Sequence, residues 1–207
     1  MTSRAVPQDL LASVVAALTG DRWAIPVALD RVPARPGLYA IYGDWHAWAD
    51  LQIDGAPKDP LYVGKAEQSL VARDLDDHFA LRPEARTVRT GSSTVRRSFA
   101  ALLRESLDLH GVPRNLAKPA HFSNYSLAEG GDGRLTSWMH ARLSIGVWSA
   151  PADMAERLVD VETALIGHFT PPINIYKNPG RLRRLRSARA VMAAEARGWR
   201  PIAETHA

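Results

Sequence analysis

The sequence predicts an α+β fold in which a small, mostly antiparallel sheet of three strands is flanked by helices. Three observations carry this. Two short apolar runs, "GLYAIY" and "LYVG", stand close together in the first third of the chain, each introduced by a proline. A third run, "HARLSIGVW", returns only after two helical segments. No strand–helix unit recurs, so nothing resembles a doubly wound parallel sheet.

The elements follow in order. Leu10, Leu11, Val14, Val15 and Leu18 share one side of a helix over Gln8–Leu18. The proline-rich "IPVALDRVPARPG" leads into a first strand, Leu38–Tyr42. Gly, Asp and Pro punctuate "GDWHAWADLQIDGAPKDP" before a second strand, Leu61–Val63. Ser69 is the N-cap of a helix to Leu81, and Ser92 or Ser93 caps another over Thr94–His110. Residues 111–134 are the least regular part, with Pro113, Pro119 and "EGGDG". The third strand over residues 140–148 ends at Pro151. Met154, Leu158, Val161 and Leu165 mark a helix over Ala152–Phe169. "TPPIN" breaks it, and an arginine-rich helix over Gly180–Gly198 follows.

With no cysteine, disulfides and thiolate zinc sites are excluded and a reducing, cytoplasmic compartment is expected. The opening residues fit a short amphipathic helix better than a signal peptide, and no run is long enough to span a membrane. The net charge of +4 is unevenly placed. Residues 177–200 hold Lys177 and seven arginines against Glu195, so the remainder of the chain is acidic. A basic helix of this kind suits contact with a phosphate backbone, or is a solvated face.

Three further sets of residues have chemical potential. Glu162 lies at the edge of an apolar helical stripe, where a carboxylate needs a cation, either a divalent metal or an arginine. In "KAEQSLVARDLDDHF", Arg73 either pairs with Asp77 four residues on or points its guanidinium fork at a phosphate. His78 is a base, a proton relay or a structural histidine. Tyr39 and Tyr62 each sit beside a glycine that lets a backbone or ligand approach the sheet.

Together, "GLY", "YVGKA", Arg73, Glu162 and Asn174 twelve residues beyond it resemble the GIY-YIG nuclease superfamily, and "YVGKA" is similar to the N-terminal nuclease domain of the excinuclease C family. The resemblance spans residues 36–178, with insertions at 44–59 and 111–134, a helical extension at 1–35 and a basic helix and tail at 179–207. It implies endonucleolytic hydrolysis of DNA phosphodiesters, most naturally double-stranded. One Mg²⁺ or Mn²⁺ would be held by Glu162, with Arg73 clamping the phosphate. Tyr39 would be the general base, with Lys65 the nearest cation to lower its pKa; Tyr62 would position water or phosphate, and Asn174 would orient the site. The tyrosine motifs are further apart than is usual in that family, as are Tyr62 and Glu162. The arginine comes one residue later than the commonest spacing. His78 follows Arg73 by five residues, which on an α-helix turns it off the Arg73 face.

Arg96, Arg97, Arg181, Arg183, Arg184 and Arg186 are the expected contacts to nucleic-acid backbone. Two rivals stand beside the nuclease: a binding module of the same fold without catalysis, and an α+β domain with no nucleic-acid role.

Overall fold

A computed structural model describes residues 6–72, 78–79, 90–115, 117–118, 120, 122–154 and 156–200, with Leu29 described in its backbone only. Four antiparallel strands form the main sheet in the order β1–β6–β2–β3, where β1 is Trp23–Ala24, β2 Gly37–Gly43, β3 Tyr62–Ala66 and β6 Leu143–Ser149. The α+β class and the small antiparallel sheet are as the sequence predicts. The fourth strand, β1, is two residues long and hidden in the proline-rich lead, too short to show a period.

Strand β2 is buried along its whole length because helices cover both faces. Its odd and even residues serve different layers, as the two-residue period of a strand requires. Leu38, Ala40 and Tyr42 pack with Val63 against Val14 and Leu18 of α1 (Gln8–Thr19) and Leu158, Val161, Leu165 and Ile166 of α5 (Leu158–Phe169). Tyr39 and Ile41 belong to the opposite layer with Ala66, Phe79, Phe99 and Met139. That layer is built on α3 (Thr94–Leu102), α4 (Gly131–Arg142) and α6 (Arg183–Gly198).

Several elements depart from their expected bounds for local reasons. Asp44 accepts a hydrogen bond from the Ala47 amide at 2.7 Å and starts α2 (Trp45–Asp50) inside the first insertion. Helix α3 ends at Leu102 and gives way to turns, with Asp108 at positive φ. The irregular stretch contains the short pair β4 (Gly111–Val112) and β5 (Ser126–Leu127). Helix α4 continues through Arg142, so the third long strand starts at Leu143 rather than His140. Helix α5 starts at Leu158, with Arg157 extended at its N-cap and paired to Asp160 in the first turn.

Helix α6 is part of the fold. Leu185, Met192 and Ala196 are buried against α3 and β4, and Glu195 joins Arg104 and the Gly111 amide. Among the described residues no helix is long and apolar enough to cross a membrane.

Candidate active site

Register places the two tyrosine motifs side by side. Tyr39 on β2 pairs with Gly64 on β3, and Tyr62 pairs with Ile41, so both tyrosines and Gly64 lie on one face. Gly64 is required there. A Cβ on it would stand 2.5 Å from both Cζ and Oη of Tyr39 and 2.8 Å from Tyr62 Cε1. Without that Cβ, the Tyr39 ring lies over β3, its centroid 6.1 Å from that of Tyr62.

The Tyr39 hydroxyl is 3.0 Å from Nε2 of His78, and Nδ1 of the same ring is 2.8 Å from Oγ of Ser93. All three residues are buried. Ser93 is also the N-cap of α3 and accepts the Arg96 amide at 3.1 Å. His78 therefore meets Tyr39, while its direction relative to Arg73 lies outside the described residues. Arg73, expected on the phosphate, and Asp77, its alternative partner, lie outside the described residues.

Helix α5 brings Glu162 to the same place from the other side of the sheet. Lys65 takes the register of Leu38, on the α5 side of β3, while Tyr39 and Tyr62 arrive from the opposite side. The two sides meet at the β3 edge in a cleft of about 480 Å³, lined by Tyr39, Tyr62, Lys65, Glu67, Ser69 and Glu162 among others. Lys65 forms an ion pair with Glu67, so its charge is already engaged; the ring hydrogen-bonded to Tyr39 is that of His78.

Asn174 acts on the backbone beside the second tyrosine. Its Oδ1 accepts the Val63 amide and its Nδ2 donates to the Val63 carbonyl, both at 2.8 Å. The Ile173 amide donates to Leu61 O, so the loop after α5 covers β3 up to Val63. Asn178 secures that loop through the carbonyls of Pro171 and Asn174.

The arginines divide into two groups. Arg96 is fully buried, and its guanidinium donates to the carbonyls of His78 and Asp132, to Thr136 Oγ1 and to the Asp132 carboxylate at 3.2 Å. Burial lowers its pKa, and Asp132 works against that shift. Arg97 is 7% exposed and donates to Gly91 O and Thr94 Oγ1. The expectation that both meet a nucleic-acid backbone from a helix surface is therefore corrected. Two adjacent arginines resemble a solvated face, but α3 is buried on most of its sides, with α4 and α6 packed against it. Arg184 donates to the carbonyls of Leu51 and Gln52, and Arg181 to Asn178 O. Arg183 and Arg186 are exposed and make no hydrogen bond or ion pair among the described residues.

A family model described as the GIY-YIG catalytic domain matches residues 50–191. The chain belongs to the GIY-YIG family. The matched span covers more than half of the chain and runs into α6, but it begins after the first tyrosine motif. The pairing of β2 with β3 sets Tyr39, outside the matched span, beside Gly64 within it. No match was found among curated proteins or among solved structures.

GIY-YIG domains are nuclease domains, which sets nucleic acid as the substrate class and a divalent metal as the general requirement. The donor set of the cleft fits such an ion. Glu162, Ser69 and the phenols are hard oxygen donors, and Mg²⁺ typically takes one or two carboxylates while keeping several waters. Among the described residues no group of three or more His, Cys, Asp or Glu side chains is placed to hold a metal ion.

Sequence reasoning missed Ser93 as the partner of His78. It identified Ser93 only as a helix cap, and the signal available was that cap's place at the start of the buried helix.

Proposed function

We propose that this protein is a metal-dependent endonuclease that hydrolyses phosphodiester bonds of double-stranded DNA in a cytoplasmic compartment. The observation that supports it most is the Tyr39 hydroxyl, buried against His78 Nε2 on the wall of a cleft that Glu162 also lines.

Glu162 would hold one Mg²⁺ or Mn²⁺. When bound, that ion would neutralise charge on the phosphate and the leaving oxygen. The remaining chemistry belongs to the chain. A phenol with an ordinary pKa of about 10 is a poor base near neutral pH unless its proton has somewhere to go. With Nδ1–H donating to Ser93 Oγ, Nε2 carries a lone pair directed at the Tyr39 hydroxyl. Tyr39 then takes a proton from the attacking water as it passes its own to Nε2. The resulting imidazolium keeps a hydrogen-bond acceptor at each nitrogen, Oη of Tyr39 and Oγ of Ser93. Tyr62 positions water or phosphate across the cleft, Arg73 clamps the phosphate, and Lys65 with Glu67 borders the opening. Asn174 holds the Val63 peptide and with it the spacing of Tyr62 and Gly64. Arg181, Arg183, Arg184 and Arg186 track the backbone beyond the cleft.

The test is nicking of supercoiled plasmid with Mg²⁺ or Mn²⁺. Glu162→Gln should lower the rate by about 10³-fold or more, the scale of losing a principal electrostatic group at a reacting phosphate, while circular dichroism stays unchanged. Full activity in that variant would overturn the assignment.

A further inference from the structure

Among the described residues, the arginines around Gly91 pair with no carboxylate. Arg97 is nine-tenths buried, and its Nη1 donates to Gly91 O at 2.7 Å and Nη2 to Thr94 Oγ1 at 3.0 Å, leaving Nε buried with no partner. Its charged neighbours are Arg189 of α6 and Arg114 of the loop after β4, both cations. Neither makes a hydrogen bond or ion pair among the described residues. Glu195, an acid beside Tyr125, is held by Arg104 and by the Gly111 amide, and Asp132, which accepts from Thr90 next to Gly91, is held by Arg96. Burial, with Arg189 next and Arg114 a smaller cause, pulls the Arg97 guanidinium down to about 10.

A second observation marks the same place. Ser126 Oγ is buried without a hydrogen-bond partner. A Cβ on Gly91 would lie 2.8 Å from that oxygen and 2.8 Å from Arg114 Cγ, so Arg97, Arg114 and Ser126 all gather about Gly91. A buried cation costs several kcal/mol unless an opposite charge meets it. Here three cations and an unused hydroxyl stand near one another, and the acceptors beside them are neutral: the Gly91 and Asn124 carbonyls and Thr94 Oγ1. A tetrahedral oxyanion answers that arrangement, because the arginine forks and the hydroxyl match its oxygens.

We infer that Arg114 and Arg189, the two cations beside the buried Arg97, bind one backbone phosphate of the nucleic acid away from the scissile bond. The inference rests on the nuclease reading for the source of the phosphate but not for the site itself. Contact would come from Arg114, which is exposed, and from Arg189, which is half-buried; Arg97 supplies charge from its buried position. The site is tied to the cleft through the first turn of α3. Thr90–Ser92 precede Ser93, which holds His78, and Arg97 lies one turn beyond Ser93. A strand anchored there is held by the same helix start that holds the Tyr39–His78 pair.

Two measurements test it. Thermal unfolding in inorganic phosphate is compared with chloride at equal ionic strength, with neither metal nor nucleic acid present. The wild type should gain several degrees in phosphate and Arg114→Gln/Arg189→Gln should gain none. In chloride the double variant should be at least as stable as the wild type, because like charges have been removed from beside Arg97. An equal response to phosphate in both proteins, or none in the wild type, would overturn the site. Arg114→Gln alone, a change at an exposed position, should already halve the response and serves if the double variant folds poorly.

In the second measurement, duplex DNA binding is titrated against salt in the Glu162→Gln background. Removing both arginines should weaken binding about tenfold and lower the salt slope by about 0.9, the value for one neutralised phosphate. Unchanged affinity and slope would overturn the nucleic-acid assignment and leave free phosphate as the occupant. Failure of the nuclease reading leaves the first measurement standing, and failure of the first leaves the chemistry of the cleft untouched.

Discussion

Strand β2 carries two tyrosines three residues apart, and they end in opposite worlds. Tyr42 faces α1 and α5, where its hydroxyl donates to the Leu18 carbonyl at 2.8 Å and the Arg22 guanidinium stacks 3.7 Å from its ring centroid. Burial pushes its pKa up to about 12, against the pull of Arg22. Tyr39 faces the other layer and meets a titratable ring, with a cleft beside it. Both phenols are buried, so burial does not distinguish them. What differs is the partner: a peptide carbonyl accepts a hydrogen bond and never a proton near neutral pH, whereas an imidazole exchanges one. The strand's period of two sends one tyrosine to a peptide carbonyl and the other to an imidazole beside a cleft.

The largest way to break that contrast is Tyr39→Phe. It removes the hydroxyl but keeps the ring over Gly64, and nicking should fall by about 10²–10⁴-fold, the range of general acid–base contributions. The fold should lose about 1 kcal/mol with the bond to His78, the net worth of a typical hydrogen bond, which leaves the protein folded under the assay.

A smaller effect sharpens the comparison at its other end. Ser93→Ala removes the Nδ1 partner and the α3 cap, so it should cost about 1 kcal/mol of stability. Its nicking rate should fall about tenfold with a displaced pH–rate profile, since acid–base efficiency follows the pKa of the relay. Ser93→Asp keeps both a cap and an acceptor for Nδ1–H and should recover the rate. If Ala and Asp behave alike, Ser93 serves α3 and not the imidazole.

The smallest effect on activity belongs to Tyr42→Phe. Losing the bond to Leu18 should destabilise the fold by about 1 kcal/mol, the net worth of a typical hydrogen bond, while nicking stays within twofold of wild type.

The sequence made the antiparallel strands, α1, α5 and the pairing of "GLY" with "YVG" legible, because these depend on short-range alternation and on glycines that must face a neighbouring strand. Glu162 stood out at the edge of a helical apolar stripe, whereas its metal role and Asn174 came only from the family resemblance. Long-range geometry was not. His78 meets Tyr39 from 39 residues away, and Ser93 reaches His78 from a helix start fifteen residues on. Arg96 shows the same limit, since a basic residue pattern does not reveal that Asp132, 36 residues away, will meet it in the interior. Strand β1 and the β4–β5 pair are two residues long, and segments that short have no period to read.

The most direct measurement is the single-turnover rate of plasmid nicking for Tyr39→Phe and Tyr42→Phe under identical metal and salt. The account predicts that Tyr39→Phe is slower by about two orders of magnitude or more, a general-base loss, while Tyr42→Phe matches the wild type. Equal rates in the two variants would contradict it, because the hydroxyl against His78 would then carry no more of the chemistry than the one against Leu18.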